Sequence, residues 1–333
     1  MVKMTATVIN KTRAPRLRTY QEAVEYFQTH QRSRGKDLQI DTVHSLSWNC
    51  DGTRLACGSR SKRISILQVD NSCRLAADFT ASAHSGSVDQ VAFQHSNPYM
   101  FASASDDRSV CIWDTRHPKK HTQIQTKVPN SYVNWSMCDR YIVFHGRDDK
   151  ITVVDSRNLT VYKTYEMNRE ATEIVPHPNG KHLFVATGSG KVEILSMPDL
   201  EAVLTIQAHS SQSTLAALAI SKDGRKMAVG GNDALVSTWD LESMSCEVSM
   251  PRMDFAIRSV AFSADATLLA SGSEDHFLDL AWAEDGQSVY NLRTDEGTYS
   301  IAWHPRHLIM AYSCESTDSR GRGDDIRLFG LSG

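Results

Sequence analysis

The 333-residue sequence lacks paired cysteines. Its seven, at positions 50, 57, 73, 111, 138, 246 and 314, are odd in number, scattered, and nowhere in CxxC spacing. A disulfide framework is thereby excluded, and a reducing compartment, cytoplasm or nucleus, is expected, with the cysteines as small buried apolar residues. No apolar run approaches the roughly 20 residues needed to span a bilayer. The segment Met1-Val-Lys-Met-Thr-Ala-Thr7 has no apolar stretch of the kind a secretory signal needs. Gly188-Ser-Gly190-Lys191 lacks the spacing of a phosphate-binding loop. Charge of one sign is also scarce: the net charge is −3, with 41% hydrophobic and 23% charged residues, an ordinary globular composition.

What is present is a repeated phrase. Ser103-Ala-Ser-Asp-Asp-Arg-Ser-Val-Cys-Ile-Trp-Asp114 reads as strand, tight polar turn, strand, with β-branched and aromatic residues in the second half. It returns as Asp233 to Asp240, as Ser273 to Leu280, and as Asp149 to Asp155. Taking the turn acids as Asp107, Asp149, Asp233 and Asp275, two intervals are each about 42 residues, the period of a four-stranded propeller blade ending in Trp-Asp. Seven segments fit one inner-strand pattern, of which His44 to Trp48, Val88 to Phe93, Tyr132 to Trp135 and Tyr299 to Trp303 are examples. The expected fold is all-β, a seven-bladed WD-repeat β-propeller. Blades one and four are degenerate copies, with Ser61 and Gly190 at the turn-acid position.

The last blade shows three strands, the third being Ile326-Arg-Leu-Phe-Gly-Leu331. An unpaired edge there is a hazard. The segment from about Arg34 to Ile40 is expected to supply the missing outer strand and latch the ring. Ser316 to Gly323 reads as an insertion between the second and third strands of that blade. This divides the chain into a basic arm, 1–33, and a propeller, 34–333. The first 36 residues hold eight Lys or Arg against Glu22 and Glu25. Tyr20 to Gln28 is expected to be a short helix capped by Thr19 with Glu22, turning Ala23, Phe27 and Val24 to the body. Lys11, Arg13, Arg16 and Arg18 are candidates for contact with RNA or an acidic partner, the bland alternative being a solvated tail.

Ser103, His84 and Asp107 have the residue types of a nucleophile, base and orienter. With Trp113 they lie in one blade, and blade five repeats His209, Asp233 and Trp239 with Val229 where the serine would stand. A set that recurs is a structural device, so no catalytic residue is assigned. His95, His177 and His304 share a repeat position in separate blades and do not form a metal cluster. No metal and no cofactor is expected.

Several runs go beyond generic repeat residues: Gly86-Ser-Val-Asp-Gln90 with Ser96-Asn-Pro98; Val192 to Ser196 with Pro198-Asp-Leu200; Asp233 to Ser237 with Trp239-Asp240. Ser273-Glu-Asp-His-Phe277 with Asp279, and Ala302-Trp-His-Pro305 with Leu328-Phe-Gly-Leu331, complete them. In these the chain resembles the THO complex subunit 3 family. The resemblance implies a nuclear, non-enzymatic scaffold of the THO/TREX assembly, coupling transcription and mRNA processing to mRNA export. It implies large helical THO subunits as partners and, indirectly, a DEAD-box RNA helicase and export adaptors, with no membrane. Asp89, Gln90, His276 and Phe277 are candidates for the partner face. The rival expectation is a WD-repeat substrate receptor of a ubiquitin ligase or a histone reader, although no F-box is evident.

Overall fold

The computed structural model describes residues 17–34, 42–69, 75–314 and 326–332. Four residue alternations per repeat give four antiparallel strands, and seven such sheets are formed. In chain order the first six blades cover 43–81, 88–125, 130–166, 171–207, 215–250 and 257–293. Each inner strand carries a register shift near its start, as between Val88 and Gln90 in blade two or Asn130 and Tyr132 in blade three. A bulge there adds twist where the sheets crowd around the axis.

Strands alternate apolar residues to both faces because both faces are covered by neighbouring blades. One core unites Ile64 and Ile66 of blade one with Val91, Phe93, Phe101 and Trp113 of blade two. Another unites Phe184 and Ile194 of blade four with Leu218, Met227 and Trp239 of blade five. The outer strands are largely exposed, as at Thr160–Glu166 and Ala202–Gln207.

Two faces result. The crossover face carries the loops between blades and the turns between second and third strands. The opposite, turn face carries the turns between first and second strands. Left-handed residues mark the second-to-third turns: Lys62, Arg108, Asp149, Gly190 and Ala234. They correct two assignments made from the sequence. The residue before each is the counterpart of Asp107, so Asp148, and not Asp149, is the turn acid of blade three. In blade four Ser189 holds that place, and Gly190 supplies the left-handed step. A glycine and an aspartate both tolerate that backbone, so either can stand at the left-handed step beside the turn-acid position.

Blade seven consists of Thr298–Trp303, Met310–Cys314, Ile326–Ser332 and an outer strand from the other end of the chain. That strand is His30–Arg34, paired antiparallel to Ile326–Ser332. It lies earlier than the expected Arg34–Ile40, so the boundary drawn between 33 and 34 falls inside it. Residues 35–41, and with them most of the expected segment, lie outside the described residues, as do Lys11, Arg13, Arg16 and the insertion 316–323.

The helix Tyr20–Thr29 leads straight into the latch strand. Thr19 Oγ1 accepts from the Glu22 N–H at 3.2 Å, while the Glu22 carboxylate accepts from the Arg18 N–H at 2.7 Å, one residue short of a strict capping box. Ala23 and Phe27 are buried and Val24 packs beside them on the core shared by blades six and seven. The Phe27 ring stacks on Phe329 with centroids 5.4 Å apart.

Among the six described cysteines none is disulfide-bonded. Cys57, Cys111 and Cys314 are buried as expected, but Cys138 and Cys246 are exposed. Both exposed positions sit on the outside of turns or outer strands, where a small residue meets no steric demand either way.

Buried polar chains and the two open faces

In blade two the sequence-singled residues come together. His84 arrives on the crossover loop, Ser103 on the second strand, Asp107 in the turn and Trp113 on the third strand. His84 Nδ1 is 2.8 Å from Asp107 Oδ2, and Nε2 is 2.7 Å from Ser103 Oγ. Trp113 Nε1–H donates to the same Ser103 oxygen at 2.9 Å. The indole can only donate, so the Ser103 O–H donates onward to Nε2, and Nδ1–H donates to Asp107. Burial depresses the His84 pKa and keeps the ring neutral. Burial would raise the Asp107 carboxyl, but bonds from Ser109, Ser85 and His84 outweigh it and hold the group below its usual range.

Ser103 has no exposed surface, and its oxygen is engaged on both sides. A nucleophile needs a substrate within reach, and this hydroxyl has none. The four groups bolt the crossover loop to the two middle strands. Asp107→Ala orphans the loop N–H of Ser85 and the imidazole. It is expected to lower unfolding free energy by about 1–3 kcal/mol, and an unshifted thermal midpoint would show that the bolt carries no weight.

Blade five holds a complete equivalent, which the sequence pattern missed. His209 Nδ1 faces Asp233 at 3.1 Å and Nε2 faces Ser237 Oγ at 2.9 Å, to which Trp239 Nε1–H donates at 2.9 Å. The serine has moved from the second strand to the third, two residues before Trp239. In blade six the histidine is absent. Asp275 instead accepts from the N–H groups of Asp254 and Phe255 at 3.1 and 3.2 Å. Four residues on, at the place of Ser237, Asp279 is 2% exposed and bonded through both nitrogens Nε and Nη2 of Arg252.

The three repeat histidines are clamps between blades on the turn face. His95 Nε2 lies 3.1 Å from the carbonyl of Trp135 in blade three. His177 Nε2 lies 3.0 Å from that of Gly224 in blade five, and His304 Nε2 lies 3.1 Å from that of Gly52 in blade one. His304 Nδ1 accepts from the Arg306 and His307 N–H groups, and burial pulls its pKa down to about 3. A neutral ring with one donor and one acceptor is what this position needs. Gly52, at φ +78°, leaves the room: a Cβ there would lie 2.0 Å from the His304 ring. Among the described residues no group of three His, Cys, Asp or Glu is placed to hold a metal.

The expected partner-face residues lie on the crossover face but are not brought together. Asp89 is the bulge residue of blade two, where Ser87 Oγ–H donates to it at 2.8 Å and His44 Nδ1 stands 3.5 Å away. Gln90 Oε1 accepts from the Val133 N–H of blade three at 3.2 Å. Phe277 is half-buried against the core between blades five and six, and His276 is exposed. Of the arm, Arg18 is described and exposed.

Gln90 belongs to a ring of links across five of the seven blade junctions. Ser45, Glu173, Ser259 and Ser300 each accept in the same way from Val91, Leu218, Ile301 and Leu46 of the adjoining blade. Glu173 is the one acid of the ring. Burial pushes its carboxyl up to about 8, against the opposing pull of the Leu218 N–H. Between its ordinary pKa of 4.5 and about 8 the folded chain holds a proton that the unfolded chain releases, so stability falls as pH rises through that window. Glu173→Gln keeps a carbonyl acceptor, as Gln90 does. It is expected to remove a fall on the order of 3–4 kcal/mol between pH 5 and 8, read by urea unfolding. Identical pH profiles for both proteins would refute the assignment.

On the turn face the C-terminal ends of the inner strands surround a cavity of about 560 Å³, lined from all seven blades by residues that include Trp48, Met137, Pro178, Lys222, Phe262 and Trp303.

Residues 36–67, 77–114, 200–240 and 246–280 match the WD domain, G-beta repeat family. The chain is 31% identical over 292 residues to THO complex subunit 3 of Arabidopsis thaliana, covering 87% of this chain and 92% of that one. It is 25% identical to WD repeat-containing protein AAC3 of Dictyostelium discoideum, over 86% of this chain and 64% of that one. The β-propeller domain of Myceliophteria thermophila Cps50 (Swd1) superposes with a TM-score of 0.76 at 18% identity, over 90% of this chain and 99% of that one, a likeness of fold.

Proposed function

The chain belongs to the THO complex subunit 3 family of WD-repeat proteins, and on that premise we propose that it is a scaffold on which other THO subunits assemble. It is a WD-repeat component of the THO/TREX class and is not an enzyme. In this proposal it is a nuclear subunit whose stiff ring docks large helical THO subunits and, through them, a DEAD-box helicase and export adaptors. It thereby contributes to coupling transcription and mRNA processing to mRNA export.

The observation that supports it most is the extent of the match, which runs across nearly the whole ring and not one blade. The physics agrees. The reactive-looking side chains of blades two and five are spent inside the sheets, leaving two broad loop-built faces on a rigid frame, which is where recognition is ordinarily carried. Affinity purification of the tagged full chain from nuclear extract, followed by mass spectrometry, is expected to recover THO subunits in near-stoichiometric amounts. Recovery of cullin adaptors in their place would establish the substrate-receptor alternative, and recovery of neither would sink the scaffold reading.

A further inference from the structure

The cavity on the turn face has a chemistry of its own. Met137, Pro178, Ile220, Phe262, Ala264 and Pro305 are half-buried around it, presenting apolar surface from five blades. Its volume, about 560 Å³, suits one or two bulky side chains. Among the described residues that line it there is no carboxylate, and Lys222 is the single formal charge. Lys222 Nζ reaches from blade five across to the Pro305 carbonyl of blade seven at 3.5 Å, beside the exposed Arg306. The histidines His95 and His304 of the lining are held in the blade clamps, and burial keeps the His304 ring neutral.

The acids of the first-to-second-strand turns are bonded within or between those turns. Asp51 accepts from Thr53 at 2.6 and 2.9 Å, and Asp139 from the N–H groups of His95 and Ser96 at 2.9 and 2.8 Å. Asp223 accepts from Ser221 Oγ at 2.6 Å, and Asp265 from Ser263 Oγ at 2.7 Å. Those carboxylates keep their charge but lie outside the lining, whereas Lys222 and Arg306 stand at the edge of the apolar recess.

We infer that this recess seats a segment of a partner protein in which a bulky apolar side chain neighbours a carboxylate. The apolar group fills the recess, and the carboxylate meets Lys222 and Arg306. This names the partner chemistry for one face of the scaffold and rests on that reading. The apolar plug supplies most of the affinity by excluding water from a central pocket, and the two cations select an acidic over a basic segment.

The test uses the tagged full chain in the purified THO complex. A photo-reactive benzoylphenylalanine is placed at position 264 in the recess and, as a control, at position 276 on the crossover face. Position 264 is expected to cross-link to a THO subunit at a stretch where Leu, Ile, Phe or Met adjoins Asp or Glu. The Lys222→Glu, Arg306→Glu double variant, altered at two exposed positions, is expected to keep its thermal midpoint and to weaken complex assembly at least tenfold, more at low salt than at high. Cross-linking to RNA, to a Lys/Arg-rich stretch, or to nothing while the complex still co-purifies overturns the inference and leaves the scaffold reading standing. Failure of any THO subunit to co-purify removes both.

Discussion

Deletion of residues 1–34 is expected to destabilise the ring by more than about 5 kcal/mol and to render it prone to aggregate. Phe27 is 1% exposed and stacked on Phe329, and truncating a buried Phe alone costs about 3–5 kcal/mol. The deletion also removes the Tyr20 O–H bond to the Ser288 carbonyl, at 2.8 Å, and every ladder bond to Ile326–Ser332. Each hydrogen bond nets about 1 kcal/mol, and the bared strand becomes an edge open to other chains. Since whole domains are stable by only about 5–15 kcal/mol, the loss is comparable to the total. Phe27→Ala, which leaves the strand in place, should lose the packing contribution without the aggregation. Urea unfolding and light scattering read the two effects separately. A deleted chain that stays monomeric with an unchanged midpoint would mean that the latch is ornamental.

Arg252→Ala is the second large effect. Asp279 sits 2% exposed in blade six, and the guanidinium that serves it also donates to the Gly286 carbonyl at 2.8 Å. Removing one partner of a buried pair leaves an uncompensated charge and costs about 3–5 kcal/mol. Arg252 is partly exposed, and Ser288 Oγ–H still donates to Asp279 at 2.8 Å, so a loss near the lower figure, about 3 kcal/mol, is expected. The double variant Arg252→Met, Asp279→Leu removes both charges and should regain most of that loss, since apolar replacement of a buried pair is often neutral. If the single and double variants are equally unstable, packing and not charge governs the site. In blade six this pair occupies the place that a neutral serine, bonded to histidine and tryptophan, fills in blade five, so the contrast also compares two ways of stiffening one repeat.

The seven blades and the blade-two bolt were legible because their signals are local: alternation, turn residues, and Asp, Ser and Trp at fixed offsets. Ser237 was legible too and was overlooked. Residues two apart on a strand share a face, so a serine at 237 points where Trp239 points. Arg252–Asp279 was not legible, since nothing in a sequence announces that residues 27 positions apart form an ion pair where blade five bonds a serine to a histidine. The latch strand was misplaced for a different reason. His-Gln-Arg-Ser-Arg at 30–34 is polar throughout, as suits an outermost strand, whereas Asp37-Leu-Gln-Ile40 shows the alternation of an inner one. A strand without apolar alternation leaves no hydrophobic pattern to read.

The latch joins distant parts of the chain: the Tyr26 hydroxyl donates to the Gly330 carbonyl, 304 positions away. At a synthesis rate of roughly 5–20 residues per second, the first strand leaves the ribosome ~15–60 s before its partner exists. Throughout that interval six blades can stack while Phe27 has no Phe329 to cover it and the last sheet has no closing edge. Birth order therefore makes pairing of the N-terminal strand with Ile326–Ser332 a contact that forms only once the last blade has been made.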